Sequence, residues 1–252
     1  MNGRAMREPA FWWRSAGIYS ASLTPLALVY GTIAGLRLAK TGSPAKIPVL
    51  CVGNFTLGGA GKTPTAIMLA RMLAETGERP FFLSRGYGGI VSGPWLVDAR
   101  SDVAAQVGDE PLLLAKIAPA VVARDRIAGA GMAITHGATI VVMDDGLQNA
   151  SLAKDFTLAV VDARRGIGNA RVFPAGPLRA SLAAQLAKTN ALLVVGKGVA
   201  ADSVVAEARL RELPILHGRL VPDPTAVAAL KERKVLAFAG IGDPKKFFDT
   251  AR

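Results

Sequence analysis

Short apolar, β-branched runs alternate with longer runs of helical character through most of this chain. The strand-like runs are Pro48–Val52, Pro80–Ser84, Ala120–Ala123, Thr139–Met143, Thr157–Asp162, Ala191–Gly196 and Val235–Ala239. Between them lie helix-like segments at Thr63–Glu75, Glu110–Lys116, Arg126–His136 and Ser203–Arg211. Continuous apolar strands separated by helices predict an α/β fold, a largely parallel sheet flanked by helices on both faces. Ligands of such sheets sit beyond the carboxyl ends of the strands. Pro214 to Pro224 is rich in turn residues and marks a boundary near 218–232. The predicted organisation is an N-terminal helical segment over 1–40, a core over 41–218 and the start of a smaller C-terminal part over 219–252.

The N-terminal segment follows a different pattern. No charge falls between Ser15 and Leu36, while Arg4, Arg7 and Arg14 precede the stretch and Arg37 and Lys40 follow it. Tyr19, Leu23, Leu26, Tyr30 and Ile33 recur at helical steps, and Phe11, Trp12 and Trp13 stand at the entrance. Ser20, Ser22, Thr24, Pro25 and Thr32 interrupt the apolar content. Basic flanks with tryptophans at one end favour an apolar helix lying in an anionic membrane interface over one crossing the bilayer or packing on the protein's own core. No small-residue cleavage site follows, so a secretory signal fits poorly.

Composition narrows the partners. A chain of 252 residues with 51% hydrophobic content can bury a sizeable core. The single Cys51 excludes an internal disulfide framework, and its apolar strand makes it core filler. His136 and His217 stand apart from each other and from other ligand types, against a zinc site. A net charge of +11 calls for an anionic partner. No basic segment is interleaved with aromatics, so nucleic acid is less favoured than a membrane surface or a phosphorylated substrate. Nothing points to an obligate protein partner.

The sharpest local signal is Thr56-Leu57-Gly58-Gly59-Ala60-Gly61-Lys62-Thr63, between a strand and a helix. Glycines let backbone N–H groups close on phosphate oxygens, and the helix start adds its positive end. Lys62 can reach outer phosphates and the Thr63 hydroxyl can hold Mg²⁺. Thr56 stands where the usual pattern has glycine. A plain glycine-rich turn would lack the lysine–threonine pair at the helix start. The strand-like run ending at Met143 continues into Asp144-Asp145-Gly146-Leu147-Gln148. A carboxylate there suits a nucleotide-bound Mg²⁺, with Asp144 the better placed, although an acidic turn would look similar. Gly108-Asp109-Glu110-Pro111 reads as helix capping or, if a hydroxyl is phosphorylated, as a base with Asp109 leading. Ser84-Arg85-Gly86-Tyr87-Gly88-Gly89 and the run DARRGIGNARVFPAGPLR from Asp162 to Arg179 offer arginine forks for phosphate, or merely solvated arginines.

VGNFTLGGAGKTP, SRGYGG, GDEP, DDGLQN, GIGNARVFPAGPLR and AGIGDPKKFF, with FWWR at the head of the apolar segment, together resemble the tetraacyldisaccharide 4′-kinases of Gram-negative lipid A biosynthesis. The resemblance covers nearly the whole chain. It implies a P-loop NTPase-like fold that uses ATP and Mg²⁺ to phosphorylate the 4′-hydroxyl of an acylated glucosamine disaccharide 1-phosphate. It also implies a peripheral or anchored seat on the cytoplasmic face of the inner membrane. Thr56 to Thr63 then resembles the ATP loop, Asp109 the proposed base with Glu110 beside it, and Asp144 and Asp145 the metal-side pair. Gln148, Arg85, Arg126, Asn169 and Arg171 resemble substrate-side groups. Members continue past AGIGDPKKFF into an aspartate followed by paired histidines. This chain stops at Arg252, so the C-terminal part is expected to be truncated, and neither His136 nor His217 takes that histidine role. The rivals are another P-loop ATPase or GTPase that drives assembly or metal delivery, for which neither the guanine-reading Asn/Thr-Lys-x-Asp pattern nor a metal-rich tail is present, and a membrane-associated nucleotide-binding fragment without kinase activity.

Overall fold

Among the described residues, seven of eight strands run parallel, and the alternation of their side chains decides what each face of the sheet carries. The computed structural model describes residues 8–230 together with 233, 236, 237, 247 and 248. The strands are β1 (Val49–Gly53), β2 (Pro80–Ser84), β3 (Trp95–Leu96), β4 (Ala120–Val122), β5 (Ile140–Asp144), β6 (Phe156–Asp162), β7 (Ala191–Val195) and β8 (Ile215–Gly218). Their order across the sheet is β3-β4-β2-β5-β1-β6-β7-β8, and only β3 is antiparallel to its neighbour. The helices are α1 (Ile18–Ser22), α2 (Thr24–Ala39), α3 (Lys62–Glu75), α4 (Ala104–Val107), α5 (Asp109–Ala115), α6 (Arg126–Thr135), α7 (Leu182–Leu186), α8 (Asp202–Arg209) and α9 (Pro224–Leu230).

Along β1, Val52 joins the core under α3 and α5 with Ala66, Phe82 and Leu114. Val49 and Cys51 point the other way, onto Ala130 and Ala133 of α6. Burial on both faces is why these strands read as unbroken apolar runs. It also pushes the Cys51 thiol up to about 12, in keeping with a role as filler. Asp125 starts α6 by accepting the Ile127 and Ala128 N–H groups at 2.9 and 3.1 Å. A third cluster packs Phe55, Leu147 and Val161 against Leu186 of α7 and Val204 of α8.

The N-terminal stretch is not one helix. Leu23 both ends α1 and begins α2, with Pro25 in the first turn of α2. Trp12 donates from Nε1 to the Pro174 carbonyl at 3.0 Å and meets Phe173 edge to face. Ser20 donates to the Ala175 carbonyl at 2.7 Å. Ile18, Leu26, Leu28, Val29 and Leu36 face outward, each 62% exposed or more. Tyr19, Leu26 and Ile33 of the stripe seen in sequence are exposed as well, so the stripe is turned largely away from the core. No helix among the described residues is long and apolar enough to cross a membrane.

At the other end, Ile215–Gly218 pairs with β7 although that region reads as turns in sequence. The strand expected at Val235–Ala239 and the motif AGIGDPKKFF fall largely outside the described residues.

Candidate active site

β1 and β5 lie side by side in parallel register, with Val52 opposite Asp144. This pairing delivers the end of β5 to the start of the loop from Asn54 to Gly61. Gly61 caps α3 at φ +95°, a conformation that favours glycine, and frees Lys62 and Thr63 to open the helix. Thr63 donates its hydroxyl to Asp144 Oδ2 at 3.2 Å. Lys62 Nζ bonds Asn54 Oδ1 at 3.2 Å and stands 3.7 Å from Asp145 Oδ1. The buried Asn54 holds the loop's shape by donating to the Gly58 carbonyl at 3.1 Å.

Asp144 is only 3% exposed, and its Oδ1 is a buried oxygen with no hydrogen-bond partner among the described residues. Burial, then the negative charges of Glu110 and Asp145, push its carboxyl up to about 7 against the pull of Lys62 and Thr63. For Asp145, burial raises the carboxyl, but Lys62 and Arg179 outweigh it and hold the group below the usual range. Asp145 also sits at φ +56°, which an aspartate tolerates at modest cost and which turns its carboxylate toward those two cations.

Arg179 spans the site. Its Nη1 and Nη2 hold Asp145 at 3.0 Å, its Nε donates to the Thr56 carbonyl at 3.0 Å, and its Nη1 reaches Gln148 at 3.2 Å. Gln148 donates to the Asn54 carbonyl at 2.9 Å and to Gln185 Oε1 at 2.8 Å. Buried Gln185 donates in turn to the Phe55 carbonyl at 3.2 Å. The segment before Arg179 is laid along the phosphate loop, with Leu57 N–H on the Pro177 carbonyl and Arg179 N–H on that of Phe55.

Asp109 and Glu110 open α5 at the rim of the same cleft, both solvent-exposed. Desolvation raises the Glu110 carboxyl, opposed by Lys62 and helped by Asp145 and Asp109. Glu110 thus shares its field with Lys62, Asp144 and Asp145. Arg126 is buried, bonds the Ala123 carbonyl at 3.1 Å, and is lowered to about 10 by burial and by the like charge of Arg85. Two arginines with their charges set against each other make a place suited to an anion.

The model of the family described as tetraacyldisaccharide-1-P 4′-kinase matches residues 19–252. This chain belongs to that family. A tetraacyldisaccharide 4′-kinase of Rhodopseudomonas palustris (strain BisB5) is 55% identical over 247 residues, 98% of this chain and 73% of the relative. One from Methylobacterium sp. (strain 4-46) is 57% identical over 248 residues, 98% of this chain and 75% of the relative. In fold, the chain matches a crystal structure of LpxK from Aquifex aeolicus in complex with ATP, with TM-score 0.63 and 21% identity over 87% of this chain and 86% of that one.

In this tetraacyldisaccharide-1-P 4′-kinase family member, the fold gathers the 56–63 loop, Glu110, Asp144, Asp145 and Gln148 into one site, with Asp109 at its rim and Arg85 and Arg126 beside it. It places Asn169 and Arg171 elsewhere. Asn169 Nδ2 donates to Ser20 Oγ at 3.2 Å and to the Ala175 carbonyl at 2.9 Å, fastening the N-terminal segment. Arg171 Nη1 meets Thr24 Oγ1 of α2 at 3.2 Å. Arg179, Asn54 and Gln185 were not singled out by the sequence reading. Arg179 closes the arginine-rich run that drew attention, but nothing local ranks it above the other arginines of that run.

Proposed function

We propose that this chain transfers the γ-phosphate of ATP to the 4′-hydroxyl of a tetraacyldisaccharide 1-phosphate in lipid A biosynthesis. One observation carries this reading to the residues. Lys62, the Thr63–Asp144 pair, the Asp145–Arg179 pair and Glu110 converge on one phosphate loop at the carboxyl ends of β1 and β5. Backbone N–H groups from Gly58 to Gly61 and the start of α3 would hold the triphosphate. Lys62, and Arg179 above it, would draw off charge from the outer phosphates as they transfer.

The donor set suits Mg²⁺. Asp144 carries a buried oxygen without a partner among the described residues, beside the Thr63 hydroxyl. Mg²⁺ is commonly held by one or two protein ligands, with waters and substrate phosphates completing its shell. When bound, it would supply charge neutralisation to the transferring phosphoryl group. Asp145, already held by Lys62 and Arg179, would support that pair from beside it.

Asp109 would accept the proton of the attacking hydroxyl, with Glu110 between it and the phosphate loop. Arg85, with buried Arg126 behind it, offers a seat for the acceptor's own phosphate. Asn169 and Arg171 would act through the N-terminal segment, which they fasten. The outward apolar face of α1 and α2, with Arg14 and Arg37 at its ends, would lie on the cytoplasmic face of the inner membrane, at the height of the acceptor's sugar.

The test is transfer from γ-labelled ATP, with Mg²⁺, to the acylated disaccharide 1-phosphate in detergent micelles. Label should enter the lipid, and Lys62→Ala should lower turnover by about 10²–10³-fold. Normal turnover by that variant would refute the assignment of Lys62.

A further inference from the structure

A crevice between the phosphate loop and the turn after β6 is lined by Trp13, Gly58, Gly59, Asp162 and Arg165 among others. Into this neighbourhood the N-terminal segment delivers a carboxylate. Glu8 accepts a hydrogen bond from Trp13 Nε1 at 3.0 Å and pairs with the Arg165 guanidinium. That guanidinium lies 3.7 Å from the centroid of the Trp13 ring. Asp162 shapes the turn that presents Arg165, its carboxylate taking the Arg164 N–H and its carbonyl the Gly166 N–H, each at 2.8 Å. The Glu8 carboxylate also rests on Gly58, so closely that a Cβ at position 58 would overlap its Oε1. Gly58 is at φ +103°, a conformation that favours glycine.

A carboxylate on this loop opposes the loop's purpose, because N–H groups and a helix start collect negative charge. A like charge within a few Å of a phosphate weakens its binding by about tenfold or more at an intermediate dielectric. Glu8 is tolerable there because Arg165 neutralises it, and a planar guanidinium serves a phosphate as readily as a carboxylate. We propose that Arg165 is a further ligand for nucleotide phosphate and that Glu8 is an internal anion which the nucleotide displaces from it. The inference rests on reading the 56–63 loop as the ATP site. Nucleotide entry then releases a contact made by the N-terminal segment, tying occupancy of the loop to how that segment is seated.

The full chain is titrated at equilibrium with mant-ATP and Mg²⁺, as wild type, Glu8→Gln, Arg165→Gln, the double variant and Lys62→Ala. Glu8→Gln should bind about 3- to 10-fold tighter while melting at a lower temperature, because it loses an ion pair yet removes a competitor. Arg165→Gln should bind at least about tenfold weaker, and the double variant should return toward wild type. Glu8→Gln binding no tighter than wild type, or Arg165→Gln binding as well as wild type, overturns the proposal and leaves the cluster a structural tie. Lys62→Ala separates the two readings. If it loses binding while the other variants match wild type, only this proposal falls; if it binds as wild type does, the loop is not the ATP site.

Discussion

Asp144→Asn should make the metal-free protein more stable near neutral pH while disabling it. Folding moves this carboxyl from the usual 3.8 to about 7. At 1.36 kcal/mol per unit, keeping Asp144 ionised in the fold costs about 4 kcal/mol above pH 7. An asparagine carries no such cost, but its buried amide lacks an acceptor, which takes back about 1–3 kcal/mol. The net expectation is a gain of about 1–3 kcal/mol at pH 8. The sign follows from proton counting. Between the unfolded and folded values the folded protein binds the extra proton, so wild-type stability falls as pH rises from about 4 to about 7. The variant lacks this slope, so its advantage over wild type should fall by about 4 kcal/mol from pH 8 to pH 4 and reverse, leaving it the weaker protein by about 1–3 kcal/mol at pH 4. Urea denaturation of both proteins in EDTA at intervals from pH 4 to pH 8 measures the difference directly. Glu110 also has a raised carboxyl and its charge is coupled to that of Asp144, so the wild-type-minus-variant difference reports Asp144 together with that coupling. Parallel stability curves, or a variant weaker at every pH, would sink the argument. Kinase turnover of the variant should fall by about 10²-fold or more, since the lost carboxylate is the one assigned to the cation.

Three other perturbations separate roles that resemble one another in the sequence. Arg179→Lys keeps the charge but loses the fork that joins Asp145 to the Thr56 carbonyl, and kcat/KM for ATP should drop about 10- to 100-fold, whereas unaltered kinetics would make the fork dispensable. Asn169→Ala removes hydrogen bonds that fasten the N-terminal segment, and should lower the melting temperature by about 3–8 °C (about 1–3 kcal/mol), without a selective rise in KM for the lipid acceptor. A selective KM effect would return Asn169 to the substrate. Leu26→Glu and Val29→Glu, on the outward face of α2, should weaken flotation with anionic liposomes while leaving the melting temperature within about 1 °C, because surface changes of this kind rarely exceed about 0.5 kcal/mol. Undiminished flotation would move the lipid contact elsewhere.

The central strands were legible because each is buried on both faces and must be apolar throughout, as Ala191–Val195 is. β3 was not, since two exposed residues on an edge leave no periodicity to read. β8 escaped because His217 and Gly218 interrupt its apolar run. The uncharged N-terminal stretch reads as continuous helix, and only the break at Leu23 and Pro25 reveals two. In the site, the glycine loop and the Asp144–Asp145 pair announce themselves because their chemistry is contained in a few consecutive residues. Arg179 and Gln185 do not, because Asp145, Thr56 and Phe55 come to them only through the order of the strands. Asn169 and Arg171 share a run with Arg179, and the fold alone sends them to the N-terminal segment instead of the phosphate loop.

The N-terminal segment is fastened to the 169–179 loop, and that loop is hydrogen-bonded along the phosphate loop. Among the described residues, the helices proposed to rest on lipid are joined by these hydrogen bonds to the residues proposed to grip ATP. The molecule would then behave as a caliper with one jaw on the bilayer surface. Its reach above that surface is set by the fold, and an acceptor hydroxyl presented at another height, by a bulkier headgroup or a shallower acyl anchor, would fall out of register with the phosphate without any contact to it having changed.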